Sequence, residues 1–187
     1  WSYDLGNKGK GKLYEASTWI GATKDYQRVH EYDSVGRAAY VLTRSDWDFR
    51  TTWAYDGFGR RDTASHSRSA VGACCATTAT DRSVYNAQGY LYQVRASGPG
   101  LAETAVWEAK TQDAEHRVTR EQLGTALVTD RSFNAYTGAM TALVTGPDNG
   151  SGGATSSHQN DSYTYDSIGN LSARSQLMAT SGAQLSE

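Results

Sequence analysis

Aromatic and β-branched residues alternate with polar ones along much of this chain, with the period of a strand rather than of a helix. In Arg50-Thr-Thr-Trp-Ala-Tyr55, Trp53 and Tyr55 fall on one face, and in Asp161-Ser-Tyr-Thr-Tyr165, Tyr163 and Tyr165 do the same. The runs Ala38-Ala-Tyr-Val-Leu-Thr43 and Tyr90-Leu-Tyr-Gln-Val94 are rich in residues that suit a pleated, half-buried surface. Between an incoming and an outgoing run lies a short motif: an aromatic residue, then Asp or Asn, then Gly within a few positions. It occurs at Tyr3-Asp4 with Gly6, Tyr32-Asp33 with Gly36 and Arg37, and Tyr55-Asp56 with Gly59 and Arg60. It recurs at Tyr85-Asn86 with Gly89, Phe133-Asn134 with Gly138, and Tyr165-Asp166 with Gly169 and Asn170.

Each part of the motif has its own task. Asp or Asn accepts hydrogen bonds from backbone N–H groups just ahead of it, which makes an Asx turn. Gly takes a positive φ without a Cβ clash and closes a hairpin. The aromatic stands on the sheet beside the turn, where a ring-on-ring ladder from copy to copy is expected. Successive copies lie 23 to 32 residues apart, apart from one gap of 48 (133 − 85). A degenerate copy fits inside that gap, where Asp113-Ala-Glu-His116-Arg117 puts His at the Gly position and weakens the hairpin. One hairpin is not stable alone, so stability must come from repeat-on-repeat contact. The expected fold is all-β: tandem antiparallel hairpins, six or seven of them, forming one curved sheet over residues 1–187.

These motifs resemble the YD-repeat region of Rhs proteins, shared with the B and C components of bacterial insecticidal Tc complexes and, more distantly, with the teneurins. Tyr32-Asp-Ser-Val-Gly-Arg37, Tyr55-Asp-Gly-Phe-Gly-Arg60 and Tyr165-Asp-Ser-Ile-Gly-Asn-Leu171 carry the likeness. Gly9-Lys-Gly-Lys-Leu13, Tyr85-Asn-Ala-Gln-Gly-Tyr-Leu91, Trp107-Glu-Ala-Lys and the stretch from Asp113 to Glu121 extend it over nearly the whole chain. The resemblance implies a segment of a hollow β-sheet shell that encloses a C-terminal toxin domain, of the same or a partner chain, until delivery. It also implies neighbouring shell repeats as partners, and a secreted or cell-surface bacterial protein delivered by a secretion system. The family's cargo-release region, with paired Asp residues and a D-P-x-G signature, has no counterpart in Pro147-Asp148 or Gly98-Pro99-Gly100, so autoproteolysis is not expected.

Composition narrows the alternatives. Apolar residues make up 38% of the 187, below the roughly 45–50% of an ordinary globular chain. Twelve Tyr and five Trp stand against three Phe, which suits rings with a buried body and a wet tip. The net charge is −2 with acids and bases interspersed, so nucleic-acid binding has no electrostatic footprint. The chain opens at Trp1 without Met and closes in a polar stretch, and the expectation is an internal fragment of a larger protein. No apolar run has the length of a membrane span.

Catalytic and metal chemistry find no constellation. His30, His66, His116 and His158 are scattered, and no C-x₂-C or H-x₃-H pair occurs. The motif Asp residues lack the oxygen cluster that calcium wants, and Asp148-Asn149-Gly150 has no Glu at the required spacing. No cofactor is expected. Cys74 and Cys75 are expected as plain thiols, because adjacent Cα atoms sit too close for an ordinary disulfide. The stretch Gly146–Gly153 reads as a mobile linker. The competing functional reading is an extracellular carbohydrate- or protein-binding module that uses the aromatic rows as a stacking face.

Overall fold

The computed structural model describes residues 1–70, 77–177 and 184–186. Among them the chain is all strand and turn. The strands are β1 (Ser2–Tyr3), β2 (Leu13–Ile20), β3 (Thr23–Tyr32), β4 (Ala38–Arg44) and β5 (Trp47–Tyr55). Next come β6 (Arg61–Ala70), β7 (Thr77–Tyr85), β8 (Leu91–Ser97), β9 (Thr104–Gln112) and β10 (Val118–Leu123). The last are β11 (Leu127–Phe133), β12 (Met140–Pro147), β13 (Gln159–Tyr165), β14 (Leu171–Leu177) and β15 (Gln184–Ser186). The runs with period-two alternation are the ones that became β4, β5, β8 and β13. Cys74 and Cys75 lie outside the described residues.

Two compact units divide the chain: Trp1–Val84 with Val94–Thr104, and Tyr85–Gln93 with Ala105–Glu187. In the first, every strand from β1 to β7 pairs antiparallel with its chain neighbour. In the second, β9 to β15 do the same. This is the tandem-hairpin topology that the spacing predicts. It sends the connections alternately to the two ends of the strands, so the motif turns of each unit share one end.

The apolar core is thin. Val29, Val41, Ala64 and Val128 are the buried hydrophobic residues among those described. Polar contacts carry much of the packing instead. On one sheet face the Arg50 guanidinium lies 4.0 Å from the Tyr40 ring centroid. Asp161 is fully buried, and its Oδ2 accepts from Gln159 (2.8 Å), the Tyr163 hydroxyl (3.0 Å) and Arg174 (3.2 Å). Burial, with the Asp161 carboxylate close by, pushes the Tyr163 hydroxyl above its ordinary pKa.

The loop between β12 and β13 corrects an expectation. Gly146–Gly153 is not a free linker: it prolongs the hairpin. Asp148 and Ala154 form a β-bridge, and Thr155 N donates to the Pro147 carbonyl at 2.8 Å. Asp130 Oδ2 accepts from Ala154 N at 2.6 Å, and Arg120 binds Asp148 Oδ2 at 3.0 Å. Gly146 is buried, and a Cβ there would sit 2.1 Å from the Thr155 carbonyl oxygen. Glycine at this point therefore serves close backbone approach, not flexibility.

Candidate functional site

The candidate site is the set of motif turns within each unit, and one hydrogen-bond scheme recurs among them. In the turn at Asp33, the Asp33 N–H donates to the Arg37 carbonyl (2.8 Å) and the Gly36 N–H donates to the Asp33 carbonyl (3.0 Å). Asp33 Oδ1 accepts from the N–H of Val35 (3.0 Å) and of Arg37 (2.8 Å). Asp33 Oδ2 receives Arg37 Nε at 2.7 Å. The turn at Asp56 repeats every contact with Phe58, Gly59 and Arg60. At Asn86, the side-chain oxygen accepts from Gln88 N and Tyr90 N. At Asp166, Asn170 replaces Arg and donates its amide to Oδ2 at 3.1 Å. At Asn134 the turn is one residue longer, and Gly138 N closes it on the Asn134 carbonyl at 2.9 Å.

Two turns differ from their sequence reading. The Asp113 turn is complete despite lacking Gly: Asp113 takes Glu115 N, Arg117 N and Arg117 Nε, and His116 adopts φ +61°. The backbone ladder thus overrides the preference of a side-chain-bearing residue for negative φ. At Asp4 the hairpin is wider. Gly11 N donates to Asp4 Oδ1 (2.5 Å) and Asp4 N donates to the Lys12 carbonyl (3.1 Å). Gly11 and Lys12 therefore hold the places of Gly36 and Arg37, and Gly6 does not close this turn. Gly6 lies within the enlarged loop at φ +75°.

What joins one turn to the next is a cation. Lys12 Nζ lies 4.5 Å from the Tyr32 ring centroid and donates to the Gly36 carbonyl. The Arg37 guanidinium lies 4.1 Å from the Tyr55 ring. In the second unit, Arg117 lies 4.5 Å from the Phe133 ring, and its Nη1 donates to the Gly138 carbonyl at 3.0 Å. Glycine leaves room for this arm: a Cβ on Gly138 would stand 2.6 Å from Arg117 Nη1.

The tyrosine answers in the other direction. Tyr32 OH donates to the Leu13 carbonyl (2.8 Å), Tyr55 OH to Ala38 (2.8 Å) and Tyr165 OH to Met140 (2.9 Å). Leu13, Ala38 and Met140 each directly follow the closing residue of the preceding turn, Lys12, Arg37 or Ala139. The expected ladder of ring on ring is thus replaced by cation on ring plus hydroxyl on backbone. Among the described residues the stacked ring pair is Tyr90 with His116, at 4.2 Å between centroids and 20° between planes. Tyr90 occupies the closing position of its turn, so this stack also links one turn to the next.

A bulge sits beside the ring in five of the hairpins. The hairpin register shifts next to Tyr3, Tyr32, Tyr55, Phe133 and Tyr165. The extra residue on the outgoing strand bends and twists the ladder locally. Nothing in the alternation of apolar residues marks it; the repeated slip would have shown only by aligning the outgoing strands against the incoming ones.

Electrostatics favour the ionised motif acids. At Asp33, Asp56 and Asp113, partial burial works against ionisation, but the Arg side chain and the turn N–H groups outweigh it and hold each carboxyl below its ordinary value. At Asp166, the Asn170 backbone N–H leads the lowering. No group of three or more His, Cys, Asp or Glu among the described residues is placed to hold a metal ion. No helix among them is long and apolar enough to cross a membrane. The arrangement can bind backbone to backbone along a row of repeats; it places no nucleophile, base and oxyanion donor together at the turns.

No family model and no curated protein matches the chain. Solved structures do. It is similar to a chain of the TcdB2-TccC3 crystal structure over 87% of its length, at 16% identity and a TM-score of 0.61. The TcdB2-TccC3-TEV structure gives 88% coverage, 16% identity and a TM-score of 0.61. A mutant of the Photorhabdus luminescens Tc holotoxin pore gives 88%, 16% and 0.59. In each case the similar region is 9% of the longer chain. At this identity the likeness establishes the fold: the all-antiparallel hairpin sheet found in these Tc toxin chains, consistent with an Rhs/YD-repeat segment.

Two outcomes follow for the turn row. His116→Ala keeps the left-handed φ and loses the Tyr90 stack, whereas His116→Gly loses the stack but relieves the backbone. The Gly variant should be the more stable of the two by roughly 1 kcal/mol in urea unfolding. Acid should also weaken the fold through the turns. Carboxyls lowered on folding add stability that is present above about pH 4, the ordinary Asp range, and is lost as pH falls through their lowered folded values. Asp33→Asn keeps the Oδ1 acceptor but not the charge, so it should lower the urea midpoint at neutral pH and flatten its fall below about pH 4.

Proposed function

We propose that this chain is a structural segment of a β-sheet shell that encloses a toxin polypeptide, and that it is not itself a catalyst. The observation that carries the reading is the turn-to-turn link: Lys12, Arg37, Tyr90 and Arg117 reach forward to the next turn, and Tyr32, Tyr55 and Tyr165 reach back to the preceding one. Such a scheme extends a sheet by adding repeats and needs no thick core. The fold shared with Tc toxin chains supports it. So do the apolar tips of the turns, where Val35, Phe58 and Ile168 are 71%, 87% and 82% exposed and suit contact with further stretches of shell. On this reading the site residues of the motif are structural, the partners are neighbouring repeats and the enclosed polypeptide, and the protein acts outside the producing bacterium.

The test uses the full-length polypeptide that carries the segment. A protease should cut the enclosed domain much more slowly in that polypeptide than when the domain is expressed alone. Replacing Arg37 and Tyr55 together with Ala should restore rapid cutting. Equal cutting rates with and without the repeat region would contradict the proposal.

A further inference from the structure

The loop between β12 and β13 carries the chain's one Asn-Gly pair, Asn149-Gly150. A glycine after asparagine leaves its backbone nitrogen unshielded, because no Cβ stands beside it. That nitrogen can add to the asparagine side-chain carbon and close a five-membered imide ring. The surroundings favour loss of the Gly150 proton and build-up of charge on Asn149 Oδ1. Gly150 N donates to Asp148 Oδ1 at 2.8 Å, while Arg120 fixes the other oxygen, Oδ2, at 3.0 Å. Asn149 Oδ1 accepts from Ser151 N at 2.8 Å and Gly153 N at 3.0 Å. The side of Gly150 where a Cβ would stand is open, with nothing within 4 Å.

We propose that Asn149 is a self-modifying deamidation site. Asp148 takes the proton from Gly150 N as that nitrogen bonds to Asn149 Cγ. The N–H groups of Ser151 and Gly153 stabilise the negative charge that develops on Oδ1, as donors aimed at an oxyanion do. The Cγ–Nδ2 bond then breaks, Nδ2 takes up the proton, and ammonia leaves. Water opens the imide at either carbonyl and yields aspartate or isoaspartate. No oxidant or reductant takes part.

The same fold contains internal comparisons. Asn86 and Asn134 also hold their side-chain oxygens on turn N–H groups, but Ala87 and Ala135 follow them and shield the attacking nitrogen. Asp56 precedes Gly57, yet its carboxylate is bound by Arg60 at 2.7 Å and stays ionised, which makes a poor electrophile. Conversion at Asn149 would place a new carboxylate beside Asp130 and Asp148, which already share Arg120. Isoaspartate would also lengthen the backbone within the small hairpin closed by the Asp148–Ala154 bridge.

The test is peptide mapping by mass spectrometry after incubation of the whole chain at neutral pH, folded and in urea. The expected result is conversion at Asn149 ahead of Asn86 and Asn134, faster in the folded chain on the order of tenfold, less than the ~10²–10⁴ of a well-placed base. Asp148→Asn, checked for retained strand content by circular dichroism, should lose most of that acceleration. A folded rate equal to or below the rate in urea, or an unchanged rate in Asp148→Asn, would overturn the proposal.

Discussion

A carboxylate at the head of each Asp–Arg turn holds an arginine in place, and from there Arg37 and Arg117 reach the ring of the next turn. Arg37 is fixed at Nε by Asp33, which leaves its guanidinium plane over the Tyr55 ring of the next hairpin. Arg117, fixed by Asp113, covers Phe133 and binds the Gly138 carbonyl in the same way. This constraint matters because a two-stranded hairpin is marginal in water by itself. With so few residues fully buried, contact between hairpins must come from the strand ladder and from such links. Exposed pairs of this kind contribute about 0.5–1 kcal/mol each, and a repeated array sums them.

The links are redundant in an informative way. Tyr55 has both the cation above it and the hydroxyl bond to Ala38. Phe133 keeps the cation and has no hydroxyl; Tyr165 keeps the hydroxyl bond to Met140 although Ala139 supplies no cation. Tyr90 and His116 use ring stacking instead. Different residues at this position thus make different ties to the adjacent turn within the one chain.

Much of the fold was legible because its information is local. Period-two alternation marked the strands, and Asp or Asn followed by Gly marked the turns, since both act within a few residues. The links were not legible, because they join residues some 17 to 25 positions apart, such as Tyr55 to Ala38 and Tyr165 to Met140. Arg37 and Arg60 stood in the motif without an evident task until their Nε bonds to Asp33 and Asp56 were seen. Lys12 escaped because the insertion between Asp4 and Gly11 displaced it from the usual spacing. His116 misled in the other direction: a residue rule against positive φ lost to the backbone ladder of the turn, the same one found at Asp33, Asp56, Asn86 and Asp166. Gly146 read as a loosening residue, and the close approach of Thr155 gave it the opposite meaning.

The central claim is that successive hairpins are coupled through the guanidinium and the ring. A double-mutant cycle on Arg37→Ala and Tyr55→Leu, followed by urea unfolding, addresses it directly. The hydroxyl bond to Ala38 is absent in both leucine backgrounds, so the cycle isolates the ring and the cation. The account predicts a coupling of about 0.5–1 kcal/mol. Additivity within about 0.3 kcal/mol would contradict it.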